Sequence, residues 1–190
     1  MAKSPGPQPK LRSDPQGEAV ARRRLPRIVR WAGEIGIAVL VYLAISYYQT
    51  RRSLPRGSAF PRLELLTVNG DVAQVEHYRG KALLVHVWAP WCGVCRREFS
   101  ALNALAEDPP TGAAVVSIVA TQQSSAQLRE FIREHEIHYP VWRAGDDALG
   151  RLGIAAYPTN YYLATDGTVR SVTSGMSVRW GMWLRLWWAA

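Results

Sequence analysis

The stretch Trp91-Cys92-Gly93-Val94-Cys95 constrains this chain more than any other. It holds the only two cysteines, two residues apart, at the end of the run Ala82-Leu83-Leu84-Val85-His86-Val87-Trp88-Ala89. A short run that is apolar almost throughout reads as a strand buried on both faces. The residues that follow, Arg96-Arg97-Glu98-Phe99-Ser100-Ala101-Leu102-Asn103-Ala104-Leu105, repeat apolar side chains at helical spacing. The pair is therefore expected where a strand turns into a helix, with Cys92 at the helix N-terminus. Unpaired backbone N–H groups and the positive end of the helix dipole stabilise a thiolate there, which is how the first cysteine of such a motif comes to react. Cys95, one turn further in, is close enough to attack a mixed disulfide formed on Cys92.

Other uses of two cysteines fit less well. A zinc site needs about four ligands, and the chain has no second cysteine pair; His77, His86, His135 and His138 show no ligand spacing with the first. A purely structural disulfide over so short a loop would constrain little of the unfolded chain. A Cu(I) site built on two soft thiolates is a further alternative, although only three Met are present and one is the start.

Val85-x-x-Trp88-Ala89-Pro90-Trp91-Cys92-Gly93-Val94-Cys95 resembles the active-site signature of thioredoxin-like proteins, and Ala156-Tyr157-Pro158-Thr159 resembles their cis-proline loop. The layout is most similar to membrane-anchored TlpA-like proteins. The stretch from Gly175-Met176-Ser177 to Leu184-Arg185-Leu186-Trp187-Trp188 leans towards the branch resembling suppressor-of-copper-sensitivity protein D. The resemblance covers about residues 60–190. It implies that the Pro158 loop lies opposite the first cysteine, where the backbone of Tyr157 pairs with an extended substrate segment. Trp91 is expected beside the exposed sulfur as part of a flat docking surface, and Gly93-Val94 is expected to tune the reduction potential. His86 stands where related thioredoxins often carry an acid; beneath the site it can accept or return the proton of Cys95 near neutral pH, or be a buried neutral imidazole. Glu98 resembles the Glu that follows the pair in TlpA-like chains and is read as helix support.

The charge argues about topology rather than ligands. Residues 1–52 carry ten Lys or Arg against three Asp or Glu, and the remainder thirteen against twelve, so seven of the eight net positive charges lie in the first 52 residues. No RNA-binding aromatic motif or helix-turn-helix pattern accompanies them, and nucleic acid is not an expected partner. Residues 1–30 read as a basic disordered arm, too poor in apolar side chains to offset the entropy of ordering. Residues 31–50 are apolar apart from Glu34 and a few neutral polar groups, a length that suits a transmembrane helix. Arg30 and Arg51-Arg52 flank it, Trp31, Tyr47 and Tyr48 suit the interfaces, and the preceding basic arm places the N-terminus in the cytoplasm. Ser46-Tyr47-Tyr48-Gln49 offers no small-residue cleavage site, so an uncleaved signal anchor is expected. Residues 51–62 read as a linker, and 63–190 as the folded domain.

Within that domain, residues 63–75 predict a leading β-hairpin around Asn69-Gly70, a type I′ turn signal. The Cys-bearing strand and helix follow, then a second buried strand over 113–120. A helix over 127–136 is expected behind a Ser124/Gln127 capping box, and a small helix over 147–152 capped by Asp146. A hairpin around Asp166-Gly167 and a final helix over 176–188 close the chain. Strands alternating with helices predict an α/β protein, a three-layer α/β/α thioredoxin fold with an N-terminal hairpin, preceded by a single transmembrane helix. In the last helix, Trp180, Trp183, Leu184, Trp187 and Trp188 form a broad stripe expected to pack on the sheet, the alternative being contact with a membrane or a partner.

The reading is a membrane-anchored, periplasm-facing protein-disulfide oxidoreductase of the bacterial inner membrane. Cys92 is the nucleophile, Cys95 the resolving thiol, and the redox-active pair the only cofactor. Protein thiols or disulfides are the expected substrates, and a membrane-embedded electron donor the expected partner. The alternatives are a cytochrome c maturation thioredoxin acting on an apocytochrome and a Cu(I)-binding module.

Overall fold

A computed structural model describes residues 27–50 and 52–190; most of the basic arm lies outside the described residues. β3 (Ala82–Trp88) is buried at all seven positions, which is why its sequence is apolar without alternation. It pairs in parallel with β4 (Ala113–Val119) and antiparallel with β6 (Thr159–Leu163). β5 (Val141–Ala144) continues beyond β4, and β7 (Val169–Ser174) lies beyond β6. With β1 (Leu65–Thr67) and β2 (Val72–Ala73) the sheet has seven strands in the order β2-β1-β5-β4-β3-β6-β7.

The pleat of β3 divides the interior into two cores. Ala82, Leu84 and Trp88 face Phe99 and Leu102 of α2 (Gly93–Glu107), Leu128 of α3 (Ser125–Glu134), and Met182 and Leu186 of α5 (Arg179–Ala189). Trp88 anchors this side, edge-on to Phe99 at 4.9 Å and stacked on Phe131 at 5.5 Å. Leu83, Val85 and Val87 face Leu152 of α4 (Asp146–Leu152), Tyr161 and Trp142, with Leu54, Phe60 and Leu63 packed at the margin. The result is the expected three-layer arrangement. Every strand and both cores fall within 54–190, so this part carries what it needs to fold alone.

Local detail departs from the sequence reading in several places. The capping box forms as read: Ser124 accepts from Gln127 N–H while the Gln127 side chain accepts from Ser124 N–H. The leading hairpin forms with a longer loop. Strand pairing ends at Leu66 and Val72, Thr67 N–H donates to Asp71 O, and only Gly70 adopts a positive φ; a two-residue type I′ turn would need that of Asn69 as well. β1 is held on its other edge by β5. The small helix begins one residue early, at Asp146, with Gly145 as its N-cap.

The linker expected over 51–62 is largely part of the domain. Gly57 N–H donates to Val169 O, Val169 N–H to Ser58 O, and Phe60 N–H to Gly167 O, laying this segment along the start of β7. Leu54 and Phe60 supply the reason, since both pack into the core beneath α4. Upstream, Gly153 ends α4 in the left-handed conformation at φ 64°, and a Cβ there would lie 1.8 Å from the carbonyl oxygen of Arg52. Gly153→Ala is expected to destabilise the fold by on the order of 2 kcal/mol or more, from the left-handed backbone plus a displaced carbonyl. Urea denaturation measures it; an unchanged midpoint would show that residues 52–53 are not held against α4.

α1 (Arg27–Thr50) is one helix of 24 residues, so the expected arm is shorter than 1–30 by its last residues. Trp31, Ile35, Leu40 and Leu43 are among its exposed apolar side chains. Among the described residues no helix is long and apolar enough to cross a membrane, so the expectation of a spanning helix over 31–50 is not carried by the structure. The physical reason is length: beyond Glu34 the uncharged residues 35–50 rise about 24 Å as a helix, against a hydrocarbon core of about 30 Å.

Candidate active site

The C-terminal end of β3 delivers Trp91 and the cysteines to the N-terminus of α2. Cys92 is the N-cap, with extended backbone, and its Sγ accepts a hydrogen bond from Cys95 N–H at 3.1 Å. The two sulfurs are joined as a disulfide, with the Cα atoms 5.3 Å apart. Cys92 is 6% exposed and Cys95 fully buried, so a substrate can reach only the first sulfur. Around it Gly93 and Val94 are exposed, and Trp91 is 74% exposed. An aromatic side chain this open beside a reactive sulfur is suited to covering a docked polypeptide.

The loop before β6 comes to the same place. Tyr157–Pro158 is a cis peptide, and the Tyr157 ring meets Trp91 edge-on at 5.5 Å. Pro158 O accepts from Gly175 N–H at 2.9 Å, and Thr159 Oγ1 donates to Ala156 O at 2.7 Å, so the end of β7 and the loop itself hold it. Trp91 and Tyr157 border an open cleft continued by Thr121, Gln123, Gln127 and Phe131. Trp91, Gly93 and Val94 flank Cys92 along the chain, and the Tyr157–Pro158 loop reaches this surface through the Trp91 ring.

Three residues after Cys95 on the buried face of α2, Glu98 joins a buried polar cluster. His86 points to the α2 side of the sheet and is fully buried; its Nδ1 lies 2.8 Å from Asn160 Oδ1 and 3.7 Å from Glu98 Oε2. Glu98 is 1% exposed, and its other oxygen accepts from Ser177 N–H. Asn160 Nδ2 donates weakly to Ser177 Oγ at 3.5 Å. His86 Nε2 and Glu98 Oε2 are buried without a hydrogen-bond partner among the described residues.

Burial dominates the electrostatics here. It pushes His86 down to about 4, the Asn160 contact opposing, and pushes Glu98 up to about 7, the Ser177 and Asn160 contacts opposing. At 3.7 Å the two can pair as ions, but below pH 7 removal from water favours neutral imidazole and neutral carboxylic acid. Tyr139 is raised too, by burial first and the Glu98 charge second.

Glu98, expected as helix support, faces inwards. It shares the buried stripe of α2 with Cys95, Phe99 and Leu102. That was readable from its spacing, three residues after Cys95 and four before Leu102. Asn160 and Ser177, brought in from β6 and the turn before α5, carried no sequence signal. Among the described residues no group of three or more His, Cys, Asp or Glu is placed to hold a metal ion.

Residues 56–172 match the model of the AhpC/TSA family. The chain is 31% identical over 156 residues to the thiol:disulfide interchange protein DsbE of Pseudomonas fluorescens biotype C, covering 77% of this chain and 86% of that one. It is 26% identical over 153 residues to the thioredoxin-like protein YneN of Bacillus subtilis strain 168, covering 77% and 90%. Among solved structures, a Chlorobium tepidum protein provisionally assigned as thiol:disulfide interchange protein DsbE superposes with a TM-score of 0.65. It is 21% identical and covers 72% of this chain and 99% of that one. With its cysteine pair at the head of α2 and a cis-proline loop beside it, the chain belongs to the thioredoxin-like AhpC/TSA family and is a thiol–disulfide oxidoreductase of the DsbE type.

Proposed function

We propose that the protein reduces or exchanges disulfides in exported proteins, working as a reductant at the periplasmic surface of the inner membrane. The observation that carries this reading is the asymmetry of the pair: Cys92 is the partly exposed sulfur beside the Trp91–Tyr157 surface, while Cys95 is sealed on the buried stripe of α2 that also carries Glu98. The Cys92 thiolate attacks one sulfur of a substrate disulfide, forming a mixed disulfide and releasing the other substrate sulfur as a thiol. Cys95 then loses its proton and attacks Cys92 Sγ, and the second substrate thiol leaves. Two electrons and two protons pass to the substrate, and the chain is left as the Cys92–Cys95 disulfide. Glu98, pushed up to about 7 by burial, is half ionised near neutral pH and takes the Cys95 proton. Tyr157 backbone pairing with an extended substrate segment positions the sulfur under attack.

The basic composition of residues 1–30 and the exposed apolar side chains of α1 support attachment to a membrane. A membrane-embedded donor then restores the dithiol. Equilibration of the full chain with glutathione or dithiothreitol buffers tests the direction. A reduction potential near or below about −250 mV is expected of a reductant, and one near about −120 mV would make the protein an oxidant.

A further inference from the structure

The last helix does not pack as its sequence suggests. Gly181, Met182, Leu186 and Ala189 are its buried residues, small or flexible side chains that let α5 lie close to the sheet and α2. The tryptophans expected to fill the core are instead turned outwards: Trp180 is 72% exposed, Trp187 58% and Trp188 80%, with Trp183 and Leu184 part exposed beside them. Four indoles stand on one helix of eleven residues. Holding them in water forfeits the gain of burying large aromatic surface, so an occupant is expected for this face.

Its chemistry favours lipid. The helix carries Arg179 and Arg185 and no acidic residue, so its charge complements an anionic surface. Arg179 has one acidic neighbour, Asp108 at 3.5 Å, and Arg185 donates to Gly181 O. Indole rings partition to the boundary between headgroups and acyl chains, with the ring in the apolar layer and the N–H among headgroups. The connection to α1 adds to this. Because Arg52 lies against Gly153 at the end of α4 and residues 54–60 are docked on β7 and the core, only a residue or so of chain separates the end of α1 at Thr50 from the folded body.

We propose that the outer face of α5 seats on the headgroup layer of an anionic bilayer, with Trp180, Trp187 and Trp188 as its anchors. The choice of lipid over protein rests partly on the reading of α1 as a membrane attachment. The test separates the two by using residues 53–190, which hold every strand and both cores but not α1. This fragment is floated with phosphatidylcholine vesicles containing about a quarter phosphatidylglycerol. The expected result is that it floats, that its tryptophan emission shifts to the blue, and that brominated lipid quenches it. The Trp180→Ser/Trp187→Ser/Trp188→Ser variant is expected to partition at least tenfold less while keeping its disulfide-reductase rate in solution. Equal flotation of the variant, or none by the parent fragment, would overturn the proposal, as would a fragment that dimerises through α5 and ignores vesicles. Extraction of the full chain from membranes by alkaline carbonate tests α1 separately, so either reading can fail while the other stands.

Discussion

Cys92→Ser is expected to abolish turnover of a disulfide substrate, by on the order of 10³-fold or more, because no other thiol can reach the substrate sulfur. Cys95→Ser should behave differently. With Cys92 still at the helix N-cap and still the partly exposed member of the pair, the first attack proceeds and then stalls. The mixed disulfide accumulates and is seen on a non-reducing gel as one adduct per chain. The two variants read opposite ends of one geometry: the Cys95 N–H that bonds Cys92 Sγ at 3.1 Å favours the attacking thiolate, and the burial of Cys95 keeps it for the internal step. An adduct trapped on Cys95 in the Cys92→Ser variant would reverse the assignment.

Glu98→Gln is expected to slow resolution of that mixed disulfide by about 10²-fold or more. It should also remove the rise of the resolution rate with pH through about 7, where burial places the Glu98 proton. Of the two readings of His86, a proton carrier near neutral pH or a buried neutral imidazole, burial favours the second, holding the ring neutral down to about 4. His86→Asn should therefore leave the inflection near 7 in place, with a smaller change in rate. If the inflection disappears with His86 and survives Glu98→Gln, the roles are exchanged.

The same pair shapes stability. Glu98 is raised from 4.5 to about 7, so its contribution is full below pH 4.5 and is lost as the pH rises through about 7. His86 is lowered from 6.5 to about 4, so its contribution is present above pH 6.5 and is lost as the pH falls through about 4. Between pH 4.5 and 6.5 the two slopes oppose each other, because the folded pair is neutral where the unfolded groups carry one charge of each sign. Glu98→Gln uncovers the histidine alone: urea midpoints of the variant should rise with pH from 4 to 6.5 where those of the parent stay flatter. Parallel profiles would show that the two groups do not titrate as a buried pair.

The cysteine pair, its strand and its helix were legible because each is a local pattern. An unbroken apolar run marks a strand covered on both sides, and the Cys95, Phe99, Leu102 and Leu105 spacing marks the inner stripe of a helix. The capping box at Ser124 was legible for the same reason, since Ser124 and Gln127 satisfy each other within one turn. The depth of Glu98 was written in that spacing too, and went unread because a charged residue is ordinarily placed outside.

What could not be read is whatever depends on residues far apart meeting. Asn160 and Ser177 lie 74 and 79 residues from their partners His86 and Glu98. The chain from Leu54 to Phe60 looks like a flexible linker in composition, yet it gains order from β7 and the core. The α5 tryptophans are the sharpest case. Apolar residues occur on more than one face of that helix, and hydrophobicity cannot say which face turns inwards. The close approach of α5 to β3 and α2 decides it, seating Gly181, Met182, Leu186 and Ala189 and leaving the larger indoles outside. By itself the sequence determined the fold class, the redox pair and the layer order, because local periodicity and one motif specify them. Tertiary packing alone decided the buried His86–Asn160–Glu98–Ser177 cluster, the docking of the linker and the outward tryptophan face, because close packing across distant segments settles them.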